Sequence, residues 1–245
     1  MVSDESAIVC FIQKKYFVDY DVEEEVDHPF YKIRNKLSNC LELVDTLPSR
    51  SDGVVNFSFT KDGGFSLKNE SGFQFHSTRP EMTMRTNISK FFSVKLKGNG
   101  APQDYDAKME MPLHEYAGGL SGRARLHEYF GGMPHEGEGT IELKDHTLKI
   151  SGKLPNDWFT TKEASGLDFE GEGEATFRFE HVSKIFSQSF WGKGSGYESF
   201  FLLTLGNGDK VLCLHKPLFQ NKYPFGDDTS HICGFLTAFF TRPHY

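Results

Sequence analysis

Short stretches of alternating hydrophobic and polar residues occupy most of the chain after Gly53. Alternation with a period of two indicates β-strands that bury one face and expose the other. Turn-forming pairs such as Asp62-Gly63 separate the stretches, which is typical of β-hairpins. The pattern predicts strands at 54–60, 65–68, 91–97, 105–111, 122–129, 139–143, 147–154, 174–182, 197–205, 210–215 and 232–241.

No long helical pattern interrupts this series, so the sequence predicts antiparallel rather than parallel pairing. The fold class that follows is all-β, either an antiparallel barrel or a two-sheet sandwich of about 10–12 strands. The composition agrees with this class, since the 245 residues include 24 phenylalanines and 24 glycines.

The first 53 residues follow a different pattern. Acidic residues are concentrated at 19–27, and apolar residues from Ile33 to Val44 then recur near the 3.6-residue period of a helix. We therefore expect an acidic, helical N-terminal extension at 1–53. It is too short to hold a core alone, so it should pack on a single β domain at 54–245.

Charge, apolar runs and cysteine content limit the expected partners and the expected cellular compartment. The formal net charge is −7, and no basic run is longer than Lys14-Lys15. Because nucleic-acid binding ordinarily needs a basic stripe, this charge predicts no nucleic-acid partner. No apolar stretch approaches the roughly 18 residues of a membrane span, which predicts no membrane partner. The four scattered cysteines indicate a reducing compartment, and we expect a cytoplasmic protein of undetermined oligomeric state.

One candidate site is a palindrome of Cys213, His215, His231 and Cys233. On a strand, a spacing of two residues places both side chains of each pair on one face. Antiparallel pairing with Cys213 opposite Cys233 would gather four ligands of the kind that tetrahedral zinc accepts. A cross-strand disulfide and plain packing of apolar thiols are the alternatives, and packing is the interpretation we favour.

A second candidate is the segment 168–174, where acidic residues occupy alternate positions. Asp168, Glu170 and Glu172 would share a strand face, and crowded carboxylates raise one another's pKa, as a general acid requires. The pattern resembles the acidic strand of jelly-roll glycosidases of the laminarinase type. That resemblance implies nucleophile, orienting and acid/base roles in this order, although the family has Glu and then Asp at the first two positions. A solvated acidic edge that bends at its glycines is the alternative.

A third candidate comes from a local duplication, in which His-Glu-Tyr occurs twice, each time followed closely by two glycines. His114, Tyr116, His127 and Tyr129 would then form the rim of a ligand site. The alternative is that two strand ends close into similar glycine turns.

The function that the sequence favours is a non-catalytic β-barrel that binds a small apolar or aromatic ligand among its phenylalanines. A jelly-roll glycosidase that uses 168–174 is one alternative. A structural or assembly subunit is the other, with the acidic N-terminal segment and exposed aromatic residues as its contact surface. The sequence identifies no cofactor.

Overall fold

The computed structural model describes residues 2–3, 6–12, 55–59, 65–69, 74–77, 91, 93–111, 130, 133–134, 136–153, 159–186, 198–219 and 232–242. The chain divides into two compact units. The larger unit combines Met1–Gln13 with Asn87–Tyr245, and the smaller unit is Lys14–Thr86.

Fourteen strands and one helix lie in the described part, and we number them in chain order. The strands are β1 (Val2–Ser3), β2 (Ser6–Ile12), β3 (Val55–Phe59), β4 (Phe65–Asn69), β5 (Gln74–Ser77), β6 (Ala107–Met111), β7 (Glu138–Lys144), β8 (Thr147–Lys153), β9 (Phe159–Ser165), β10 (Glu170–Gly171), β11 (Gly173–Arg178), β12 (Glu198–Thr204), β13 (Lys210–Phe219) and β14 (Ile232–Thr241). The helix is α1 (Phe179–Phe186).

The larger unit contains two antiparallel sheets. A seven-stranded sheet has the order β1-β2-β14-β13-β12-β6-β10, and a four-stranded sheet has the order β11-β7-β8-β9. In the smaller unit, β3, β4 and β5 form an antiparallel meander. The predicted all-β, antiparallel class is therefore confirmed, and of its two forms the structure is the sandwich.

The main core lies between the two sheets of the larger unit. Alternate residues of β7 and β8 are buried, and they meet the inward residues of β12, β13 and β14 in one apolar cluster. Phe177, Phe200 and Phe240 are among the largest fully buried side chains of this cluster. Because each side chain removes apolar area from water, this layer is the principal source of stability.

The opposite face of the seven-stranded sheet is also apolar, and a segment of loop covers part of it. We call Ser93–Tyr105 the strap. Its Ala101, Val94 and Leu96 belong to a second apolar cluster with residues of β12, β13 and β14. The predicted strand at 91–97 is wrong, because the strap is held by turns and by a single bridge between Leu96 and Pro102.

A second correction concerns the predicted strand at 174–182. Strand β11 ends at Arg178, and Phe179 begins α1. The backbone N–H of Phe179 donates to the Gly137 carbonyl, and a Glu180 carboxylate oxygen accepts from the Gly137 N–H at 3.1 Å. An acidic residue in the first turn also suits the helix dipole. The predicted strand therefore extends four residues past the observed end of β11, into the first turn of α1.

Part of the expected N-terminal extension belongs to the main sheet. Strand β2 pairs with β14 from Ser6 to Ile12, so these residues complete the sandwich. The helix expected between Ile33 and Val44 lies outside the described residues. Within the described part, no helix has the length and apolarity needed to cross a membrane.

Candidate functional site

His215 lies at the centre of a buried polar group on the strap side of the seven-stranded sheet. Only 6% of His215 is exposed, and its Nδ1 lies 3.1 Å from the Thr237 hydroxyl. That hydroxyl donates to the Gly100 carbonyl at 2.8 Å. Since a carbonyl can only accept, the single hydroxyl proton of Thr237 is committed, and His215 must donate from Nδ1. The three groups form a directed chain from β13 through β14 to the strap.

Aromatic rings enclose the imidazole. Phe235 stacks on it with ring centroids 5.3 Å apart, and Phe201 meets it edge-on at 6.4 Å. Burial lowers the pKa of His215 from its usual 6.5 to about 4, so the ring is neutral at physiological pH. This neutral imidazole orients the Thr237 hydroxyl, which in turn holds the Gly100 backbone carbonyl in place.

The structure pairs the palindromic strands but in a different register. Cys213 lies opposite Phe239 and His215 lies opposite Thr237. Cys233 is thus displaced by six residues along β14, from 239 to 233, and lies beside the end of β13. The register needed for the proposed zinc site is wrong, and His231 lies outside the described residues. No group of three or more potential metal ligands occurs in the part of the chain that the structure describes.

Cys213 itself is fully buried. Its side chain belongs to the apolar cluster beneath the strap, and burial raises the pKa of its thiol well above the usual value. The thiol is therefore unreactive in this structure, and its apolar surroundings suit the packing interpretation.

The acidic segment 168–174 does not form one strand. Gly171 adopts a φ of +70° at the end of β10, and β11 begins in the other sheet at Gly173. Asp168 precedes β10 in irregular structure, and Glu170 lies on β10 opposite Lys108. The three acids proposed for catalysis are thus spread over a turn between two sheets.

Each carboxylate finds a different partner. Glu170 accepts a hydrogen bond from the Tyr105 hydroxyl at 2.7 Å, and Glu172 accepts from the backbone N–H of Asp145 at 3.4 Å. Glu174 forms an ion pair with Lys210 at 2.8 Å. Of these contacts, the ion pair between Glu174 on β11 and Lys210 on β13 links the two sheets. The three carboxylates are solvent-exposed, as the solvated-edge interpretation expects.

Lys108 compensates the acids nearest to it. Its Nζ lies 3.9 Å from Glu170 and closer still to Glu110. Partial burial lowers the pKa of Lys108, but the hydrogen bond and charge of Glu110, with Glu170, outweigh that effect and raise it. The hydrogen bond to Glu170 raises the pKa of Tyr105 by stabilising its protonated form. The cluster is charge-paired at an exposed surface.

The duplication at 114–129 lies outside the described residues. His114, Tyr116, His127 and Tyr129 therefore keep the status of predicted ligand contacts.

Sequence reasoning missed β9, which forms one edge of the four-stranded sheet. Its exposed residues alternate only weakly with half-buried ones, because most of them are polar. Phe159, at its start, is 73% exposed and is the one large apolar side chain so exposed among the described residues. Hydrophobic periodicity cannot reveal such a strand. The β-branched pair Thr160-Thr161 is the available signal, and it is weak.

The other sheet protects its edges differently. Both edge strands of the seven-stranded sheet, β1 and β10, contain two residues each, whereas β9 contains seven. Short edge strands limit pairing with other chains, and a long edge strand invites it. Strand β9 is the longest edge strand of the described structure, and its outer backbone edge, with Phe159 beside it, is a candidate surface for strand pairing.

Comparison with known proteins identifies the fold. Scans of the sequence against protein families and against curated proteins find no match. Among solved structures, the chain is similar to proliferating cellular nuclear antigen from Entamoeba histolytica, with a TM-score of 0.52 and 11% identity. The alignment covers 98% of this chain and 81% of that one. The likeness shows the fold.

Two bacterial proteins are less similar in structure. The DnaN sliding clamp, DNA polymerase III subunit β, of Pseudomonas aeruginosa gives a TM-score of 0.49 at 14% identity. The β subunit of DNA polymerase from Streptococcus pyogenes gives 0.41 at 11% identity. This chain spans 46% and 42% of their respective lengths.

These findings correct two predictions. The ligand-binding barrel is wrong, because the chain shares the sandwich fold of proliferating cellular nuclear antigen, and phenylalanines such as Phe177, Phe200 and Phe240 fill the layer between its two sheets. The exclusion of nucleic acid is also corrected, since the chain shares its fold with proliferating cellular nuclear antigen. That prediction rested on net charge, which is a sum over the entire chain and does not describe the charge of any one surface.

Proposed function

We propose that the protein is an assembly subunit of the sliding-clamp type, which acts on DNA together with a polymerase. The single observation that supports this proposal is the likeness to proliferating cellular nuclear antigen over 98% of the chain. The assembly-subunit alternative drawn from the sequence is thereby preferred to a ligand carrier or a glycosidase. The expected cytoplasmic location stays a prediction.

An acidic chain is compatible with this role. A protein that binds DNA by neutralising phosphates releases counterions, so its affinity falls steeply as salt rises. A protein of the proposed type would hold DNA by enclosing it, and enclosure needs few phosphate contacts. A net charge of −7 then suppresses direct adhesion while allowing retention by shape.

Strand β9 is the proposed contact between subunits. Among the described residues, no strand pairs with its outer edge, and addition of a strand from a second copy would satisfy the backbone groups there. Phe159 lies beside that edge and would supply an apolar anchor. Hydrogen bonds from the backbone and one aromatic contact together suit a closed assembly of identical chains.

The test separates enclosure from adhesion. The full chain is incubated with DNA attached to beads at one end and open at the other, and the open end is then blocked with bound streptavidin. We expect protein to be retained through a wash at high salt and released when a restriction enzyme cuts the DNA. Protein that the cut does not release, or that the salt wash removes, would contradict a clamp-type function.

A further inference from the structure

Two turns of this molecule have the same core sequence. The pair Asn-Gly occurs twice in the chain, each time within a Gly-Asn-Gly triplet, at 98–100 and at 206–208. The last glycine of each triplet has a positive φ, +78° at Gly100 and +86° at Gly208. A three-residue loop that ends in such a glycine is a common hairpin connection. The first turn lies in the strap, and the second joins β12 to β13.

The hydrogen bonds of the two turns correspond one to one. The N–H of the last glycine donates to the carbonyl three residues earlier, on Lys97 or Leu205, at 2.8 Å in both turns. The asparagine Oδ1 accepts from the N–H two residues later, on Ala101 or Asp209, at 3.1 Å in both turns. Each asparagine is therefore held in the same way beside the peptide group that follows it.

The surroundings of the last glycine distinguish the two turns. Gly100 is buried, and its carbonyl accepts the Thr237 hydroxyl at 2.8 Å. Gly208 is exposed, as is Asn207 before it, and a Cβ built on Gly208 would meet no atom within 4 Å. Solvent therefore surrounds the pair Asn207-Gly208, whereas the folded chain covers Gly100.

We propose that Asn207 is a site of spontaneous deamidation and that Asn99 is its protected counterpart. The Gly208 nitrogen loses its proton to hydroxide and bonds to Cγ of Asn207. The bond from Cγ to Nδ2 then breaks, and Nδ2 takes up a proton and leaves as ammonia. Water opens the resulting succinimide to aspartate or isoaspartate. Glycine favours this ring closure, because it has no side chain to obstruct the approach of its nitrogen.

The fold determines how often each turn is free to react. In both turns the glycine N–H that must lose its proton is bound to a carbonyl, so the turn has to open first. Opening at 97–101 must also break the buried bond from Thr237 and bring Gly100 into water. The turn at 205–209 has no buried glycine to uncover. Local opening that exposes less buried structure requires less free energy, so Asn207 reacts first.

Peptide mass spectrometry tests the proposal on the full chain, incubated folded at mildly alkaline pH. We expect Asn207 to be converted at least about tenfold faster than Asn99. In guanidinium chloride the two rates should become similar, because both sites then share the same Gly-Asn-Gly sequence without the fold. Equal rates in the folded protein, or a ratio that persists after unfolding, would overturn the proposal.

Thr237→Val tests the protection of Asn99. The variant lacks the hydroxyl that Gly100 accepts, and it should accelerate conversion of Asn99 by at least about fivefold while Asn207 keeps its rate. Asn207 in the same molecule is the matched control, since a general loss of stability would accelerate both sites. Equal acceleration at both sites would refute the protective role of Thr237. If the variant does not fold, the two rates in the unmodified protein still decide whether Asn207 is the reactive site.

Discussion

His215 couples the folding of this protein to pH through burial of an imidazole. The ring is neutral in the folded state, since its pKa there is about 4 against 6.5 for an exposed histidine. Between these values the unfolded chain binds the proton and the folded chain does not. Protonation therefore favours unfolding, and the stability contributed by this residue falls as pH decreases from 6.5 towards 4.

The pH-dependent contribution of His215 to the unfolding free energy can be measured against a variant that lacks the ionisable ring. His215→Gln keeps an N–H donor that can reach Thr237 and removes the ionisable ring. Between pH 7.5 and 4.5, we expect the unmodified protein to lose about 2–3 kcal/mol more unfolding free energy than the variant. Urea unfolding at both pH values gives the difference, and parallel losses in the two proteins would show that His215 is not buried as described.

Gly171 and Gly166 allow backbone strain to be separated from steric collision. Their φ angles are nearly equal, +70° and +72°. A Cβ at Gly166 would meet open space, whereas one at Gly171 would collide with the Asp106 carbonyl oxygen. Gly166→Ala should cost about 1–2 kcal/mol from the left-handed backbone alone.

Gly171→Ala should cost at least about 3 kcal/mol, because the collision adds to that strain and disturbs the pairing of β10 with β6. Urea unfolding of the two variants gives the comparison. Similar losses for both would indicate that β10 does not approach Asp106 so closely in solution.

At the scale of elements, the packing of Phe179, the first residue of α1, against the four-stranded sheet depends on two small residues. Gly139 and Gly152 are opposite each other on β7 and β8, and the Phe179 ring lies over both. A Cβ at Gly152 would come within 2.5 Å of that ring. A ring covering paired glycines fills the space their missing side chains leave and fixes where the helix begins.

A double-mutant cycle tests this packing. Gly152→Ala should destabilise the protein by about 2 kcal/mol, because the new methyl group overpacks the site. In a Phe179→Leu background the same change should cost less than about 1 kcal/mol, since the ring is gone. Gly206→Ala, with open space around the new Cβ, is the control. Additive losses in unfolding free energy would contradict direct contact between Gly152 and Phe179.

The elements also show how far the sequence could lead. Strand β14 was predicted at its observed bounds, because its apolar residues and its neighbouring turns define it locally. Pairing register is not local: the palindrome suggested Cys213 opposite Cys233, but burial of the apolar face places Phe239 there. Strand β9 was missed because a polar edge strand lacks the apolar alternation on which such predictions depend.

The candidate site was less predictable than the fold. Cys213 and His215 were identified by their spacing, yet the partner that gives His215 its role, Gly100, is 115 residues away and contributes only a carbonyl. A backbone carbonyl is present in every residue type, so the sequence does not mark Gly100 as the partner. The acidic segment was predicted to be one strand with its acids on a shared face. It is not one strand, because Gly171 turns the chain from one sheet to the other.

At the scale of the whole molecule, the exposed edge of β9 predicts self-association. Strand addition alone is weakly selective, and the exposed Phe159 at the same edge adds an apolar anchor. We expect light scattering to give a mass above that of one chain. Phe159→Glu should raise the dissociation constant of the assembly by at least about tenfold, because it replaces the anchor with a charge.

Asn207→Asp is the matched control for Phe159→Glu. It adds the same charge in the exposed turn between β12 and β13 and keeps the oxygen that accepts from the Asp209 N–H. Both positions are exposed in the single chain, so neither change should alter unfolding free energy by more than about 0.5 kcal/mol. A selective loss of assembly in Phe159→Glu would assign the contact to β9. Equal dissociation constants for the two variants would instead remove β9 from the interface, because charge alone would then account for the effect.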